Sequence, residues 1–566
     1  MPVAMLAALH SGRVFAPIAT DYPEVRQRRI LQAIEPGCLL VDNTTAALVP
    51  ECACPIVNSD EVNIDALNSD EVNISPHDQA AAGRTDPNKP ALIVFTSGST
   101  GEPLGVVHSE ANLVAHGLRS VRALQIDPSD RLSMLSRGIH ISGVTDIVRS
   151  IVSGAALMPV DVAALDIDTA SADIRDAAVS VLHCTPSLAA TLFDATKRSV
   201  HFETVRLIHL GGEALSADTL AACQRSLPTH AVVVNQLGCT ELSGFCQAFL
   251  RTGAVQPQGP VPAGFPVEGV TVRILDDQGH PVAENETGRI VIAGEGLALG
   301  YWNEPSLTAA VFHEGAANDP RYFLTGDRGR WLPDGQIEYR GRIDHQVQVR
   351  GYRVELAEIE IALKQLETIT DAVVVAPRVE PGETDSGTDV GLVAHLVPAG
   401  GSVDVIRLKQ RLVEALPSYM HPSRYVVHES LPRTPSGKVD RSALAAMSST
   451  SNTAIEDIVA SPVCPAPPYA GDQDSIAVIK SVWSETLGLH TIGDDDDFFG
   501  IGGDSLQAMR VCSRLLSFTG SEISLRDLFD APTPRGLASL LTAEKSAARR
   551  APAENDFPYS STTLNK

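Results

Sequence analysis

Val94-Phe-Thr-Ser-Gly-Ser-Thr-Gly-Glu-Pro-Leu-Gly105 runs an apolar strand straight into a turn made of hydroxyls and glycines. Ala91 to Phe95 are apolar and partly β-branched, as a buried strand requires. Gly98, Gly101 and Gly105 let backbone N–H groups approach an anion closely, and Thr96, Ser97, Ser99 and Thr100 add hydroxyl donors. The stretch therefore reads as a phosphate cradle. The Gly-x-x-x-x-Gly-Lys-Ser/Thr pattern of nucleoside triphosphatases is absent. An ordinary surface loop can share this composition, so the rest of the chain has to decide.

Working outward, apolar runs beginning at Val179, Val205 and Ala231 alternate with helical patterns such as Ser216 to Ser226. That is a βαβ rhythm, and it predicts a largely parallel sheet. A smaller α/β segment follows, with an amphipathic helix near Leu356 to Leu366 and strands at Ala372 to Ala376 and Val390 to Leu396. Residues 447–472 are rich in Ser, Thr, Pro and Ala without periodicity, which is a linker composition. Beyond it, helical periodicity at Ile476 to Leu487, Ser505 to Leu516, Leu525 to Phe529 and Leu537 to Lys545 predicts a small bundle. The stretch Asn58 to Ile64 recurs at Asn68 to Ile74. Two copies cannot stack into a solenoid, so this reads as a duplication in a surface loop.

Composition sets the bounds. At 566 residues the chain has room for roughly two to four domains, and 44 % hydrophobic residues supply the cores. The net charge of −25 argues against nucleic acid or an anionic membrane as main partner. Nine scattered cysteines without metal-ligand spacing read as reduced thiols. No run approaches the roughly 18 apolar residues of a membrane span, and the first residues lack a basic signal-peptide region, so a cytoplasmic protein is expected.

The second informative string is Asp497-Phe-Phe-Gly-Ile-Gly-Gly-Asp504-Ser505-Leu506, ahead of a predicted helix. An isolated Asp-Ser there would read as an N-cap. The whole string, in a short helical domain behind a linker, resembles carrier domains that bear phosphopantetheine on serine. Further strings stand in order: Leu6-Ala-Ala-Leu-His-Ser-Gly12, Asn235-Gln-Leu-Gly-Cys-Thr-Glu241, Gly296-Leu297 to Gly300-Tyr301, Leu324-Thr-Gly-Asp327 and Gly341-Arg-Ile-Asp344. Then come Arg350-Gly-Tyr-Arg-Val-Glu355, Leu416-Pro-Ser-Tyr-Met-His-Pro422 and Pro435-Ser-Gly-Lys-Val-Asp-Arg441. Together they resemble nonribosomal peptide synthetase adenylation domains, members of the adenylate-forming enzymes, followed by a peptidyl carrier domain.

The resemblance implies an α/β multi-sheet large domain over residues 1–343 and a smaller α+β subdomain over 344–446. After the linker at 447–472 it implies an all-α four-helix carrier over 473–545, with a disordered tail at 546–566. It implies ATP, Mg²⁺ and 4′-phosphopantetheine as cofactors. Adenylation brings a carboxylate and a phosphate together, so cations must neutralise the approach. By resemblance, Lys438 bridges the acid and nucleotide oxygens, with Thr240 and Glu241 catalytic and Glu241 a hard oxygen ligand for Mg²⁺. Thr96, Ser97, Gly98, Ser99, Thr100, Gly101 and Gly238 line the nucleotide site, Asp327 grips the ribose hydroxyls, and Arg342 contacts ribose and phosphate. Asp344 is the hinge of a subdomain rotation. Ser505 is the attachment point for the phosphopantetheine arm.

This chain departs from the family pattern in three places. The phosphate loop reads Pro103-Leu104-Gly105 where the family has Pro-Lys-Gly, which predicts slower adenylation. Anchoring the pocket on Ser142 and Gly154 places His140 where family members carry an aspartate for the substrate ammonium. The rest of the lining is then Ile141, Val144, His183, His209, Gly211, Gln236, Gly244 and Phe245, and three histidines there suggest an acidic or hydroxylated group, or an aryl, hydroxy or keto acid rather than a standard amino acid. The leader string also begins almost at Met1, which reads as an N-terminally short large domain. The expected activity is ATP-dependent activation of a carboxylic acid (amino, hydroxy, keto or aryl) and its transfer to the thiol on Ser505, as a loading module. Expected partners are a phosphopantetheinyl transferase and a downstream condensation, reductase or thioesterase enzyme. The alternatives are an acyl-CoA or acyl-acid ligase using a free acceptor, and a carrier scaffold whose adenylation half has decayed.

Overall fold

The computed structural model describes residues 1–61, 86–98, 100–162, 167–193, 202–251, 260–315, 319–344, 346–349, 351–376, 391–400, 403, 405–434, 439–450, 472–487, 492–498, 501, 508, 511–512, 514–515, 527–528 and 531–540. The chain divides into two compact units, one spanning residues 1–162 and 167–455, the other residues 163–166 and 456–566.

The first unit opens with helices α1 (Pro2–His10) and α2 (Glu24–Ile34) and a small parallel pair, β1 (Leu39–Val41) and β2 (Ile56–Asn58). Next come β3 (Pro90–Thr96), β4 (Leu104–Ser109), α3 (Glu110–Leu124), β5 (Arg131–Met134), α4 (Ile141–Ser153), β6 (Ala156–Pro159), α5 (Ile167–Asp176), β7 (Val181–Cys184), α6 (Pro186–Leu192), β8 (Leu207–Gly211), α7 (Ala217–Ser226), β9 (Val232–Leu237), β10 (Cys246–Arg251) and β11 (Phe265–Pro266). Seven of these strands form one sheet in the order β11-β10-β9-β8-β7-β5-β6. The five from β9 to β6 are parallel, as the βαβ rhythm predicts, and their buried Val, Ile and Leu suit a sheet covered by helices. Because these strands are parallel neighbours, His183 and His209 are partners in register, and Gln236 pairs with Gly211, two residues further along the same strand edge.

A second sheet holds β12 (Val270–Leu275) and β13 (Gly288–Gly294). Between its strands in sequence lie β14 (Gly300–Tyr301), which instead extends the β3–β4 hairpin, and α8 (Pro305–Val311). The sheet continues with β15 (Phe312–His313), β16 (Tyr322–Trp331) and β17 (Ile337–Arg342). The C-terminal part begins with the hairpin β18 (Gln346–Val349) and β19 (Tyr352–Glu355), followed by α9 (Leu356–Lys364), β20 (Ile369–Val375), β21 (Val393–Pro398), α10 (Val405–Ala415), β22 (Arg424–Val427) and α11 (Arg441–Thr450). It has its own core around Val354, Ile359, Leu363, Val374 and Met420. A buried ion pair, Arg26–Glu358 at 2.5 Å, joins α2 to α9.

In the second unit, α12 (Asp472–Leu487) packs Ile479, Val482 and Trp483 against Ile492, Phe498, Val511, Leu515, Leu528 and Leu537. The predicted helix at Ile476 to Leu487 is thus present and begins a turn earlier. The helices predicted from Ser505 and Leu525 lie largely outside the described residues, as do Ser505 itself, the linker and the tail.

Candidate active site

The phosphate loop is tied down at both ends. Thr96 Oγ1 donates to the Leu104 carbonyl (3.3 Å), and Gly101 N donates to the Gly98 carbonyl (3.1 Å). Gly98 cannot carry a side chain, since an added Cβ would lie 2.1 Å from the Glu102 carbonyl oxygen. Ser97 turns away from the loop: its Oγ donates to the Arg353 carbonyl (2.6 Å) and accepts from Glu355 N (3.0 Å), fastening β19 to the loop. Leu104 packs against the apolar cluster of Val106, Leu242, Phe245 and Tyr301. The position of the expected lysine is therefore built as part of the core. Ser99 and Lys438 lie outside the described residues, and Thr100 is exposed.

Thr240 and Glu241 follow β9. His108, buried, points Nε2 at the Thr240 carbonyl (2.9 Å). Burial drives the His108 pKa down to about 4, so the ring is neutral and donates that bond. Glu241 is fully buried, accepting from Tyr301 Oη (2.7 Å) and, through both carboxylate oxygens, from Arg353 Nη1 (2.9 Å each). Burial alone would raise its pKa; the Arg353 charge and the Tyr301 hydroxyl overcome this and hold the carboxyl below its usual range. Nearby, Arg342 donates Nη1 to Asp327 (2.6 Å), spans Asp344 through Nε and Nη2 (2.7 Å each), and reaches Gln346. Gln346 in turn contacts Arg353 and Glu355. Burial pushes the Asp327 carboxyl up against the pull of Arg342. An added Cβ at Gly326 would lie 2.1 Å from Asp344 Oδ2 and 2.2 Å from Arg342 Nη2, so only glycine lets this pair close.

Glu241 offers the hard oxygen that suits Mg²⁺, but here Arg353 and Tyr301 occupy both of its oxygens. As it stands this carboxylate is fully engaged, so it would hold a metal only with Arg353 displaced. At the other end of the loop, the Glu358 carboxylate stands beside Gly98 N–H, so an anion already faces the cradle. Asp344 lies between β17 and β18, with the Arg342 clasp across it.

In the pocket, His183 and His209 stack at 4.7 Å between ring centroids. His183 Nδ1 lies 2.8 and 2.9 Å from the two oxygens of Asp146, which also accepts from Arg149 Nη1 (3.0 Å). Asp146 and Arg149, on α4, are almost completely buried. The Gln236 side chain lies within interaction range of the His209 ring, and Gln247 Nε2 donates to Gln236 Oε1 (2.8 Å). Gly211 and Gly244 border Gln236. The Gly238 and Gly244 backbones also pass so closely that a Cβ on Gly238 would lie 2.4 Å from Gly244 N. Val144 and Phe245 are spent in apolar clusters. His140 stands at the N-cap position of α4 without a capping side-chain hydrogen bond and faces Tyr352 edge-on at 4.8 Å, and Tyr352 stacks on Tyr419 at 4.0 Å. Ile141, the first residue of α4, packs partly buried against the cluster that holds Val144. The structure thus brings His183 and His209 together, while His140 meets the C-terminal part. Sequence reading missed Asp146, Arg149 and the role of Arg353; the available signal was the Asp–Arg pair set among Ile147, Val148 and Ile151 on a buried helix.

An AMP-binding enzyme model matches residues 1–302, an AMP-binding enzyme C-terminal domain matches 358–438, and a phosphopantetheine attachment site matches 477–541. The chain belongs to the AMP-binding, adenylate-forming enzymes and carries a phosphopantetheine attachment domain in the same polypeptide. It is 33 % identical to a dimodular nonribosomal peptide synthase of Bacillus subtilis over 97 % of this chain and 22 % of that protein. It is 31 % identical to surfactin synthase subunit 1 of the same organism, over 99 % and 15 % respectively. The chain therefore spans about a fifth or less of these relatives. Among solved structures, holo-PA1221, a nonribosomal peptide synthetase protein containing adenylation and carrier domains, superposes with a TM-score of 0.71 at 24 % identity, covering 96 % of this chain and 86 % of that one. A fused adenylation–carrier didomain, NpsA-ThdA from Klebsiella oxytoca, gives 0.61 at 24 % identity over 75 % and 80 %. ATP with Mg²⁺ and 4′-phosphopantetheine are the cofactors of these families. Among the described residues no helix is long and apolar enough to cross a membrane.

Proposed function

We propose that this chain activates a carboxylic acid as its acyl-adenylate and passes the acyl group to a phosphopantetheine thiol on Ser505, as a loading module of a larger nonribosomal-type assembly. The observation that carries the reading is the convergence of the phosphate loop, Glu241, Asp327 and Arg342 on one hairpin, β18–β19, through Ser97, Gln346 and Arg353. Conformational change of that hairpin can then govern both half-reactions.

In the first, the acid carboxylate attacks the α-phosphorus of ATP and pyrophosphate leaves. Bound Mg²⁺ supplies part of the charge neutralisation, with Glu241 as the residue that would hold it. Lys438 screens the two anions, Asp327 and Arg342 orient the ribose, and the loop amides from Ser97 to Gly101 with the hydroxyls of Thr96, Ser99 and Thr100 receive phosphate oxygens. Gly238 keeps the turn after β9 thin enough for the nucleotide. In the second, the Ser505-borne thiol attacks the acyl carbon and AMP leaves, with Asp344 as the pivot between arrangements. Arg353 is the group that takes over Glu241 when the hairpin closes.

The boundaries we propose are 1–343, 344–446, a linker at 447–472, a carrier at 473–545 and a tail at 546–566. A cytoplasmic setting, a phosphopantetheinyl transferase and a downstream condensing, reducing or hydrolysing enzyme complete the proposal. The test is intact-protein mass spectrometry of the phosphopantetheinylated chain after ATP and an acid pool are added. A mass increase lost in Ser505→Ala supports transfer in cis. Acylation only of added coenzyme A would favour a free-acceptor ligase, and no acylation at all would favour the scaffold.

A further inference from the structure

Three cysteines gather where the parallel pair β1–β2 begins, away in sequence from every motif of the active site. Cys38 directly precedes β1, and Cys52 and Cys54 stand just before β2. Leu39 N donates to the Pro55 carbonyl (2.8 Å) and Leu39 is the register partner of Ile56, so Cys38 enters the pair beside Pro55 and within electrostatic reach of Cys54. Pro50 and Pro55 bracket the other two sulfurs, and Pro55 limits the conformations open to Cys54. Two residues of chain span at most about 7 Å, and the bend at Ala53 and Cys54 shortens this toward the roughly 4.4–6.8 Å between Cα atoms that a disulfide accepts. The sulfurs are already in contact. Cys54 Sγ donates to Cys52 Sγ at 3.4 Å, and Cys52 Sγ donates to the Cys54 carbonyl at 3.8 Å.

Adenylation and thiol transfer use none of these groups. Their exposure also separates them from the other described thiols, since Cys184, Cys223, Cys246 and Cys512 are buried and burial holds the Cys239 thiol well up. Cys38 is exposed, and Cys52 and Cys54 are half-buried. A reactive thiolate needs that access. Within the pair the proton stays on Cys54: burial and the adjoining Cys52 sulfur push its pKa up, and its S–H points at Cys52. Cys52 therefore ionises with a donor already in place, and Cys54 is the thiol that follows.

We propose that Cys52 and Cys54 are a thiol-redox site that reacts with small-molecule disulfides and closes to a reversible intrachain disulfide. The Cys52 thiolate attacks one sulfur of an oxidant such as glutathione disulfide. The oxidant's S–S bond breaks, and one glutathione leaves as a thiolate and takes a proton. Cys54 then gives up its proton and attacks the Cys52 sulfur of the mixed disulfide, so that the Cys52–Cys54 bond forms and the second glutathione leaves as a thiol. Two protein thiols are oxidised and one disulfide is reduced to two thiols. The second step is intramolecular between sulfurs in contact, so the mixed disulfide is short-lived.

The test is treatment of the reduced full chain with glutathione disulfide, read by peptide mass spectrometry, with Ser505→Ala present so that no phosphopantetheine thiol competes. Trypsin releases Cys38, Cys52 and Cys54 together on the peptide from Ile30 to Arg84, which has no internal Lys or Arg. That peptide should lose two hydrogens, regain them with dithiothreitol, and do the same in Cys38→Ser. In the Cys38→Ser background the mixed disulfide should stay below about a tenth of the closed form. Adding Cys54→Ser should stop the reaction at one glutathione on Cys52, and adding Cys52→Ser should abolish the two-hydrogen loss. No reaction, glutathione on both sulfurs without closure, or a two-hydrogen loss that needs Cys38 overturns the proposal. Should a serine variant not fold, phenylarsine oxide on the native chain takes its place, since it bridges two neighbouring thiols with release of water. A bridge mapped to Cys52 and Cys54 upholds the pairing; a bridge to Cys38, or none, overturns it.

Discussion

The two ends of the site treat their polar groups in opposite ways. At the nucleotide end, Glu241 is matched by Arg353, and Asp327 and Asp344 by Arg342, so the charges are mutually satisfied. Around the pocket, His116 Nε2 and Arg149 Nη2 are buried without a partner among the described residues, as is His140 Nε2 against the C-terminal part. Charges that pair with one another hold each other in place, and one hairpin reaches both pairs, through Arg353 to Glu241 and through Gln346 to Arg342. The nitrogens around the pocket have no such pairing among the described residues. The first end describes chemistry common to the family; the second describes this chain.

The sharpest way to break this contrast is to remove charge at the nucleotide end. Lys438→Ala is expected to lower ATP–pyrophosphate exchange by about 10²- to 10³-fold, the usual loss for a donor aimed at developing charge. An unchanged rate would show that the family role does not carry over. Next in size, Glu241→Gln strands the Arg353 guanidinium in a buried position. Breaking one partner of such a pair costs about 3–5 kcal/mol, read as a lower denaturation midpoint with an unchanged m-value. A loss under about 1 kcal/mol would mean that Arg353 swings out to water.

A third prediction uses the buried histidines. His108 titrates near 4 in the fold against about 6.5 in the unfolded chain. Between those values the unfolded state binds a proton that the folded state refuses, so stability falls as pH drops from 6.5 toward 4. The His108 share is roughly 3 kcal/mol at most. His108→Gln keeps a donor for the Thr240 carbonyl but does not titrate, so unfolding curves at pH 6.5, 5.5 and 4.5 should fall less steeply in the variant. Parallel slopes would contradict the assignment.

How much of this could be read in the sequence depended on what kind of signal each residue leaves. The parallel sheet was legible because Val181–Cys184, Leu207–Gly211 and Val232–Leu237 are continuous apolar runs separated by helical patterns. Thr240, Glu241, Asp327 and Arg342 were legible because each sits in a string long enough to resemble a family. Arg353 stood inside one of those strings, yet its partner Glu241 is more than a hundred positions away, and only the fold joins them. Asp146 and Arg149 were hidden for a different reason: charge on an amphipathic helix usually faces water, and here α4 is packed against α3 and the sheet on the face that carries them. Leu104 was read as a missing cation, whereas its side chain completes an apolar cluster.

That last point gives the smallest expected effect. Leu104→Lys should raise the exchange rate by about tenfold if a phosphate contact forms, equivalent to roughly 1.5 kcal/mol. A slower rate with reduced stability would show that the core contact matters more than the added charge.

The most direct measurement is acid-dependent ATP–pyrophosphate exchange on the purified, folded chain against pools of amino, hydroxy, keto, aryl and dicarboxylic acids. Exchange should depend on an added acid and survive Ser505→Ala, since the carrier serine acts only after the adenylate has formed. Absence of exchange with every pool, from a chain with a cooperative unfolding transition, would contradict it.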